Sequence, residues 1–344
     1  MMNLTIIIPT LNRSYFLNKL LEYYSHLNFK AAFLILDSSE GKERKKNINV
    51  LSKYKNLNLK YKNLRGKPLE VIRKSKKNIK TKYCVFSGDD DFFIKNSLIK
   101  IIKFLDNKKN KKIIGGSGLG VLFSKYEKNL NTIEYQSLFK SNSNKAIERL
   151  KDISTNYCVS HFSICRSKYF IKALEVVDKK KIPHRAFYDE IAFSITLALY
   201  GKFYKFKTFF IAREISHQRN NLWKNSNKKF KEISVNYLLE YWKKKINSID
   251  GEKYSNHEKF EGIKNLLKQN FEYDSKPKSR VINKLFNFYN SKIYFSLYNN
   301  LILRILFTPV EFLRNVINPY SFQNLLKKKK FNKDLNILFK SINK

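Results

Sequence analysis

The stretch LTIIIPT at residues 4–10 is a short apolar run that ends beside a proline, and a second apolar run, AFLIL, follows at 32–36. Both runs are typical of buried strands, and residues 12–25 between them carry apolar side chains at helical spacing. The alternation continues with strands predicted at 57–61 and 82–87 and helices predicted at 42–53 and 69–78. Strands that alternate with helices predict an α/β fold with a mostly parallel sheet covered by helices on both faces.

The second part of the chain has a less regular pattern. The glycine-rich run at 115–120 lacks phosphate-loop spacing and is interpreted as a loop or a bulged strand. Helices are predicted at 146–152 and 188–199, and strands at 157–165 and 206–212. From about residue 230 the pattern is helical, Lys-rich and aromatic. We therefore expect an α/β domain at 1–225 and a helical, basic and aromatic C-terminal region at 226–344.

The formal net charge of +41 comes mainly from lysine, which supplies 57 of the 69 basic residues. Such a charge favours attraction to anionic lipid and to phosphorylated substrates, and this attraction weakens as salt is added. Arginine, which makes the bidentate contacts to phosphate and guanine, is the minor cation, so no specific nucleic acid is expected as a partner. The three cysteines are too few for a disulfide framework and are expected to be buried thiols.

We expect a cytoplasmic protein, either soluble or peripheral on the cytoplasmic face of the inner membrane. The first apolar run is too short for a signal peptide, and the apolar stretch at 301–313 is interrupted by Arg304, Pro309 and Glu311. The segment at 284–307 interleaves aromatic and basic residues. It is suited either to an anionic membrane surface or to packing against the α/β domain.

Three successive carboxylates, Asp89, Asp90 and Asp91, follow the strand predicted at 82–87. Adjacent carboxylates repel one another, so their placement at the end of a buried strand is unfavourable unless a cation neutralises them. Their oxygens suit Mg²⁺ or Mn²⁺, with room for substrate phosphates. The alternative is a solvated turn.

Two further acidic positions allow both a functional and a structural interpretation. Asp37 follows the second strand, where it could accept hydrogen bonds from a base or ribose or could cap a helix. Asp189 and Glu190 stand at the head of a predicted helix, where carboxylates cap the helix dipole. A carboxylate in a cleft can instead act as general base on a hydroxyl.

These features, in this order, resemble the family-2 glycosyltransferases with the Rossmann-like GT-A fold, in particular a bacterial subgroup with a triple-Asp motif. The resemblance covers about residues 1–220. It is carried by five stretches: TIIIPTLNR (5–13), LILDSS (34–39), NLRGKPLEVIRKS (63–75), YCVFSGDDDFFIKNSL (83–98) and YDEIAFSITLALYG (188–201). It implies a metal-dependent, inverting transfer of sugar from a nucleotide-diphosphate sugar to an acceptor hydroxyl on a glycan or lipid-linked acceptor.

The resemblance also implies roles for individual residues. Pro9, Thr10, Asn12, Arg13 and Asp37 match nucleotide contacts of the family, and Asp89–Asp91 match its aspartate motif. Asp91 is the first choice for a ligand of Mn²⁺ or Mg²⁺, with Asp89 and a late His217 as further candidates and Asp90 beside the donor. Gly88 stands where many relatives have the first Asp, so the choice among the three aspartates stays open.

The family's later motif is usually Glu-Asp with a glycine about eleven residues on. Counting back from Gly201 places Glu190 at the Asp position, with Asp189 before it, so the order of the acids is reversed and the base is either residue. Arg65 and Arg73 are candidates for pairing with diphosphate, or are surface charges.

Two other classes of protein compete with this interpretation. A non-enzymatic protein that binds nucleic acid or another polyanion would explain the charge, but not an acidic cluster at the end of a strand. A nucleotidyltransferase would also hold metal with aspartates. That class usually has a glycine-rich loop after the first strand, where this chain has PTLNRS.

Overall fold

The computed structural model describes residues 2–126, 129–135, 141–155, 160–177, 185–214 and 228–251. The strands are β1 (Leu4–Thr10), β2 (Ala32–Asp37), β3 (Asn58–Asn63), β4 (Tyr83–Phe86), β5 (Asp91–Phe93), β6 (Ile113–Tyr126), β7 (Asn129–Tyr135), β8 (Ile164–Arg166) and β9 (Lys202–Glu214). The helices are α1 (Ser14–His26), α2 (Gly41–Lys53), α3 (Pro68–Ser75), α4 (Lys95–Asp106), α5 (Ala146–Thr155), α6 (Ser167–Ala173), α7 (Arg185–Leu199) and α8 (Lys228–Asp250).

The strands form one sheet in the order β3-β2-β1-β4-β8-β6-β9-β5, with β7 paired to β6. The first half, β3-β2-β1-β4, is parallel, and β6 is also parallel to β9. The other described pairings, at β8, β5 and β7, are antiparallel. The expected α/β class is therefore confirmed, and the antiparallel pairs lie in the second half of the chain.

Burial explains the order of the first strands. Every residue of β1 is buried, as its continuous apolar run predicts for a central parallel strand. The edge strand β3 instead alternates exposed and half-buried residues, and lysines on an exposed edge discourage pairing with another chain. Helix α3 packs on β1, and α4 packs on β6 and β9. Because β1, β2 and β4 are parallel, their carboxyl ends lie at the same edge of the sheet.

The glycine-rich run lies in β6, which shifts register against β9 at three places. A Cβ at Gly118 would lie 2.5 Å from the Thr208 carbonyl oxygen, so the close approach of these two strands requires glycine at this position. The bulged-strand interpretation is confirmed. Of the strand predicted at 157–165, residues 164 and 165 lie in β8 and residues 161–163 form a turn before it, whereas residues 157–159 lie outside the described part of the chain.

The first helix of the C-terminal region packs on the α/β fold. Trp242 of α8 is fully buried and donates from Nε1 to Thr196 Oγ1 of α7 at 2.9 Å. Asp250, at the end of α8, accepts from the backbone nitrogen of Ala146 at 2.8 Å and so caps α5. The boundary expected near residue 225 and all residues beyond 251 lie outside the described part of the chain. Among the described helices, none is both long enough and apolar enough to span a bilayer.

Candidate active site

The three aspartates lie at the carboxyl edge of the sheet, where β4 ends and β5 begins. Two buried tyrosines of α1 hold the end of β5 in place, since Tyr23 donates to the Phe93 carbonyl at 2.9 Å and the Phe93 nitrogen donates to Tyr24 at 3.3 Å. Asp89 and Asp91 are buried, and the side chain of Asp90 is 19% exposed. The run is thus not a solvated turn but a largely desolvated cluster of carboxylates.

Asp89 contacts the end of β1. Thr10 Oγ1 donates to Asp89 Oδ2 at 2.7 Å, and Arg13 Nε lies 3.1 Å from Asp89 Oδ1. Arg13 Nη2 also donates to Asp90 Oδ2 at 2.7 Å, so one guanidinium bridges two carboxylates. Burial and the charge of Asp90 raise the pKa of Asp89 to about 7, against the opposing effects of Arg13 and Thr10. Burial by itself would lower the pKa of Arg13, but the aspartates outweigh it and raise that pKa.

Both carboxylate oxygens of Asp91 accept a hydrogen bond from the protein. Its Oδ1 accepts from Arg213 Nε at 2.7 Å, and its Oδ2 accepts from the Gly88 nitrogen at 2.8 Å. Burial raises the pKa of Asp91, and Arg213 opposes that effect. Glycine at position 88 leaves room for two carboxylates, because a Cβ here would lie 2.7 Å from Asp91 Oδ2 and 2.8 Å from Asp90 Oδ1 and would force both to move. An aspartate at position 88 would therefore displace its neighbours.

The end of β2 lies beside this cluster, because Thr10 and Asp37 are register partners. Asp37 is fully buried, with Oδ1 accepting from the Ser39 nitrogen at 2.8 Å and Oδ2 accepting from the Tyr61 hydroxyl at 3.0 Å. The Asn12 nitrogen donates to Ser39 Oγ at 2.7 Å, and Asn12 adopts a left-handed φ of +56°. The chain after β1 is thereby tied to the chain after β2. Asp37 positions Ser39 for this contact through Oδ1, and its Oδ2 anchors the carboxylate to Tyr61 of β3.

The structure separates the other predicted basic residues. Arg65 is exposed at the same edge and pairs with Glu40 at 2.6 Å. Arg73 lies in the last turn of α3, which runs from the end of β3 back toward the start of β4, and so away from the aspartates. Pro9 is buried inside β1, and the contact of β1 with the cluster is made by its neighbour Thr10. His217 lies outside the described residues.

Asp189 and Glu190 are in the second turn of α7, which begins at Arg185, so they do not cap the helix. Asp189 is buried and lies one turn before Phe193, whose ring packs on Phe170 of α6. Glu190 is half-buried and shares a face with Ser194, one turn further on. The two adjacent acids are consequently directed to different surroundings.

The face that carries Glu190 is connected to the aspartates through His161. Ser194 Oγ lies 3.4 Å from His161 Nδ1, and the His161 ring packs edge-on against Phe86 at the end of β4. Next to it, the Arg213 guanidinium lies 4.1 Å over the Phe162 ring. Burial, together with the charge of Arg213, lowers the pKa of His161 well below its usual value. His161 is accordingly a neutral spacer between α7 and the aspartate cluster.

Sequence reasoning missed Arg213, Tyr61 and His161. Each lies far along the chain from its partner, and no local spacing marks it. The only available signal is that Tyr61 and Arg213 stand near the ends of predicted strands.

A divalent cation fits the donor chemistry of the cluster, because carboxylate oxygens are the ligands that Mg²⁺ and Mn²⁺ prefer. Three carboxyl groups face two guanidinium groups, so full ionisation of the three would exceed the positive charge that the arginines supply. Within the described residues, however, no group of three or more His, Cys, Asp or Glu side chains is disposed to hold a metal ion. A cation here would need further oxygen ligands from outside the protein.

Comparison with known proteins gives a structural likeness only. No family model matches the chain, and no curated protein matches it in sequence. The crystal structure of S. aureus TarS 1-349 in complex with UDP-GlcNAc has a TM-score of 0.56 at 16% identity, covering 81% of this chain and 77% of that one. The structure of the same protein with UDP has a TM-score of 0.53 at 16% identity, covering 83% and 78%. At these identities the likeness shows a shared fold.

Proposed function

We propose that this chain is a glycosyltransferase that moves a sugar from a nucleotide-diphosphate sugar to an acceptor hydroxyl. The observation that carries the proposal is the aspartate cluster at the carboxyl edge of the parallel strands, beside Thr10, Arg13 and the end of β2. Ligands of α/β sheets bind at this edge. The likeness to TarS, which was solved with UDP-GlcNAc and with UDP, supports a uridine donor as the first to test.

The cluster would hold Mn²⁺ or Mg²⁺ together with the diphosphate of the donor. Asp91 has both oxygens occupied, by Arg213 and by the Gly88 backbone. Asp89 and Asp90 are instead bridged by Arg13, which is 24% exposed, and the side chain of Asp90 is itself 19% exposed. We therefore propose Asp89 and Asp90 ahead of Asp91 as the direct ligands, with Asp91 positioning the loop. When bound, the metal would neutralise the charge that develops on the leaving diphosphate.

Glu190 is the proposed general base. It shares its helix face with Ser194, which contacts His161, whereas Asp189 lies on the face that packs toward α6. The carboxylate of Glu190 would accept the proton of the acceptor hydroxyl as that oxygen attacks the anomeric carbon. The bond from the anomeric carbon to the diphosphate breaks on the opposite side, so the anomeric configuration is inverted.

Donor binding is tested by thermal unfolding with UDP-, GDP-, dTDP- and CMP-sugars, each with and without Mn²⁺. A ligand that binds only the folded state raises the unfolding temperature. We expect a metal-dependent rise with one nucleotide class, which Asp90→Asn abolishes. No rise with any donor, together with tight and salt-sensitive binding of RNA or DNA, would instead favour the polyanion-binding class.

The base is tested separately from donor binding. Glu190→Gln should abolish sugar transfer and leave the donor-induced thermal shift nearly intact, whereas Asp189→Asn should change stability more than transfer. The matched control is Glu175→Gln, since Glu175 is 52% exposed and pairs with Lys245 outside the site. Full transfer by Glu190→Gln would rule this residue out as the base.

A further inference from the structure

The two arginines that neutralise the aspartates are held differently. Arg213 is 16% exposed, pairs with a carboxylate that is 1% exposed, and lies over the Phe162 ring. Arg13 is 24% exposed and pairs with Asp90, whose side chain is 19% exposed, while its guanidinium lies 4.1 Å over the Phe16 ring. Both the cation and one of its carboxylate partners are thus more exposed in the Arg13 pair, and Arg13 is the arginine that an incoming cation can displace.

The pairing of Arg13 is close but incomplete. Its Nη2 makes a directed hydrogen bond to Asp90, whereas its Nε lies within ion-pair distance of Asp89 but is buried without a hydrogen-bond partner. A buried donor without a directed hydrogen bond is unfavourable. Arg13 thus contributes charge to this position more than hydrogen bonding, and a more compact cation could replace it.

We infer that Arg13 is a resident cation, which occupies the charge position between Asp89 and Asp90 until a divalent ion and a diphosphate arrive together. A divalent ion alone must displace Arg13 and leave its guanidinium without an anion. A diphosphate supplies that anion, so it lowers the free energy of displacement. The nucleotide part of this inference rests on the proposed function. Because coupling between two ligands is reciprocal, the nucleotide and the metal should each strengthen the binding of the other.

The test is Mn²⁺ binding, measured by the loss of the free Mn²⁺ paramagnetic resonance signal, with and without UDP. The proteins are the wild type, Arg13→Met and Arg13→Lys. The Met side chain keeps an apolar contact with Phe16 and removes the charge, whereas Lys keeps the charge. In the absence of UDP, we expect Arg13→Met to bind Mn²⁺ about tenfold more tightly than the wild type, or tighter still. A tenfold change in affinity is within the usual range for coupling between two ligands. UDP should then add little, and Arg13→Lys should behave like the wild type.

Two results would overturn the inference. One is a nucleotide-free Mn²⁺ affinity of Arg13→Met that equals or falls below that of the wild type. The other is the same gain in Arg13→Lys, which would show that charge is not the cause. If Arg13→Met does not fold, as judged by its thermal transition, Arg13→Gln takes its place with the same expected gain.

Failure of the proposed function gives a different result. A wild type that binds no UDP, even with Mn²⁺, contradicts the nucleotide-sugar proposal whatever the nucleotide-free measurements show. A wild type that binds UDP, combined with unchanged Mn²⁺ affinity in Arg13→Met, contradicts only the role given to Arg13.

Discussion

Loss of the Lys19 ammonium should strongly destabilise the protein, because that group is the buried partner of Glu214. Lys19 Nζ lies 2.8 Å from Glu214 Oε2, and the two side chains are only 4% and 9% exposed. The pair joins α1 to the end of β9, where the Glu214 nitrogen also donates to the Asp90 carbonyl at 3.0 Å. The ion pair therefore supports the backbone of the aspartate cluster.

The magnitude follows from burial. At 2.8 Å and an effective dielectric constant of about 20, the attraction is about 6 kcal/mol, most of which offsets the desolvation of the two charges. Lys19→Met removes the attraction but leaves the Glu214 carboxylate desolvated, which costs about 3–5 kcal/mol. The double variant Lys19→Met/Glu214→Leu removes both charges. It should recover most of that loss, since an apolar pair often replaces a buried ion pair without penalty.

Urea unfolding followed by circular dichroism measures these changes. For Lys19→Met the midpoint should fall by about 1 M or more, given a slope of about 3 kcal/mol per molar urea. The control is Lys46→Met, which removes the partner of Glu43 at 2.5 Å in a pair whose lysine is 60% exposed, and it should leave the midpoint unchanged. If Lys19→Met is as stable as that control, or the double variant is less stable than Lys19→Met, the reasoning from burial is wrong.

Three further predictions concern the glycine and the buried aspartate of the cluster and the packing of α8. Gly88→Ala should abolish Mn²⁺-dependent UDP binding in titration calorimetry, because its methyl group would displace two aspartate oxygens. The control is Gly41→Ala, at a φ of +51°, which should lower stability by roughly 1–2 kcal/mol and leave binding intact. In EDTA, the free energy of unfolding should fall as pH rises from about 4 to about 7. Folded Asp89, with a pKa of about 7, keeps a proton over this range that the unfolded chain releases. Urea unfolding should show a weaker dependence of stability on pH for Asp89→Asn. Trp242→Ala should cost about 3–5 kcal/mol in urea unfolding, and an unchanged midpoint would show that α8 contributes no stability.

Much of the first half of the fold could be predicted from the sequence, because its signals are local. β1 and β2 are continuous apolar runs, and α1 buries Leu17, Leu20, Leu21 and Tyr24 at the spacing of one helical face. The short strand β5 and the helix α4 after it were not predicted. Strand β5 has three residues and begins at the third aspartate, and a run of acidic residues is typical of a turn rather than of a strand.

The position of the acidic cluster was predictable, whereas its state was not. A strand followed by three aspartates places carboxylates at a sheet edge in any parallel α/β fold. Their burial, and the occupation of both Asp91 oxygens, depend on Arg213 and on the backbone of Gly88. The same holds for Asp37, whose carboxylate is satisfied by Tyr61 from the neighbouring strand.

The amino-acid sequence by itself determined the alternation of strands and helices, the edge at which polar side chains gather, and the identity of the acids there. These depend on side-chain periodicity and on turn chemistry over a few residues. Only the tertiary structure decided which side chains meet: Arg213 reaches Asp91 across 122 residues, and Ser194 of α7 contacts His161 across 33 residues. Such pairings depend on strand order and helix rotation, which are set by packing over the whole sheet.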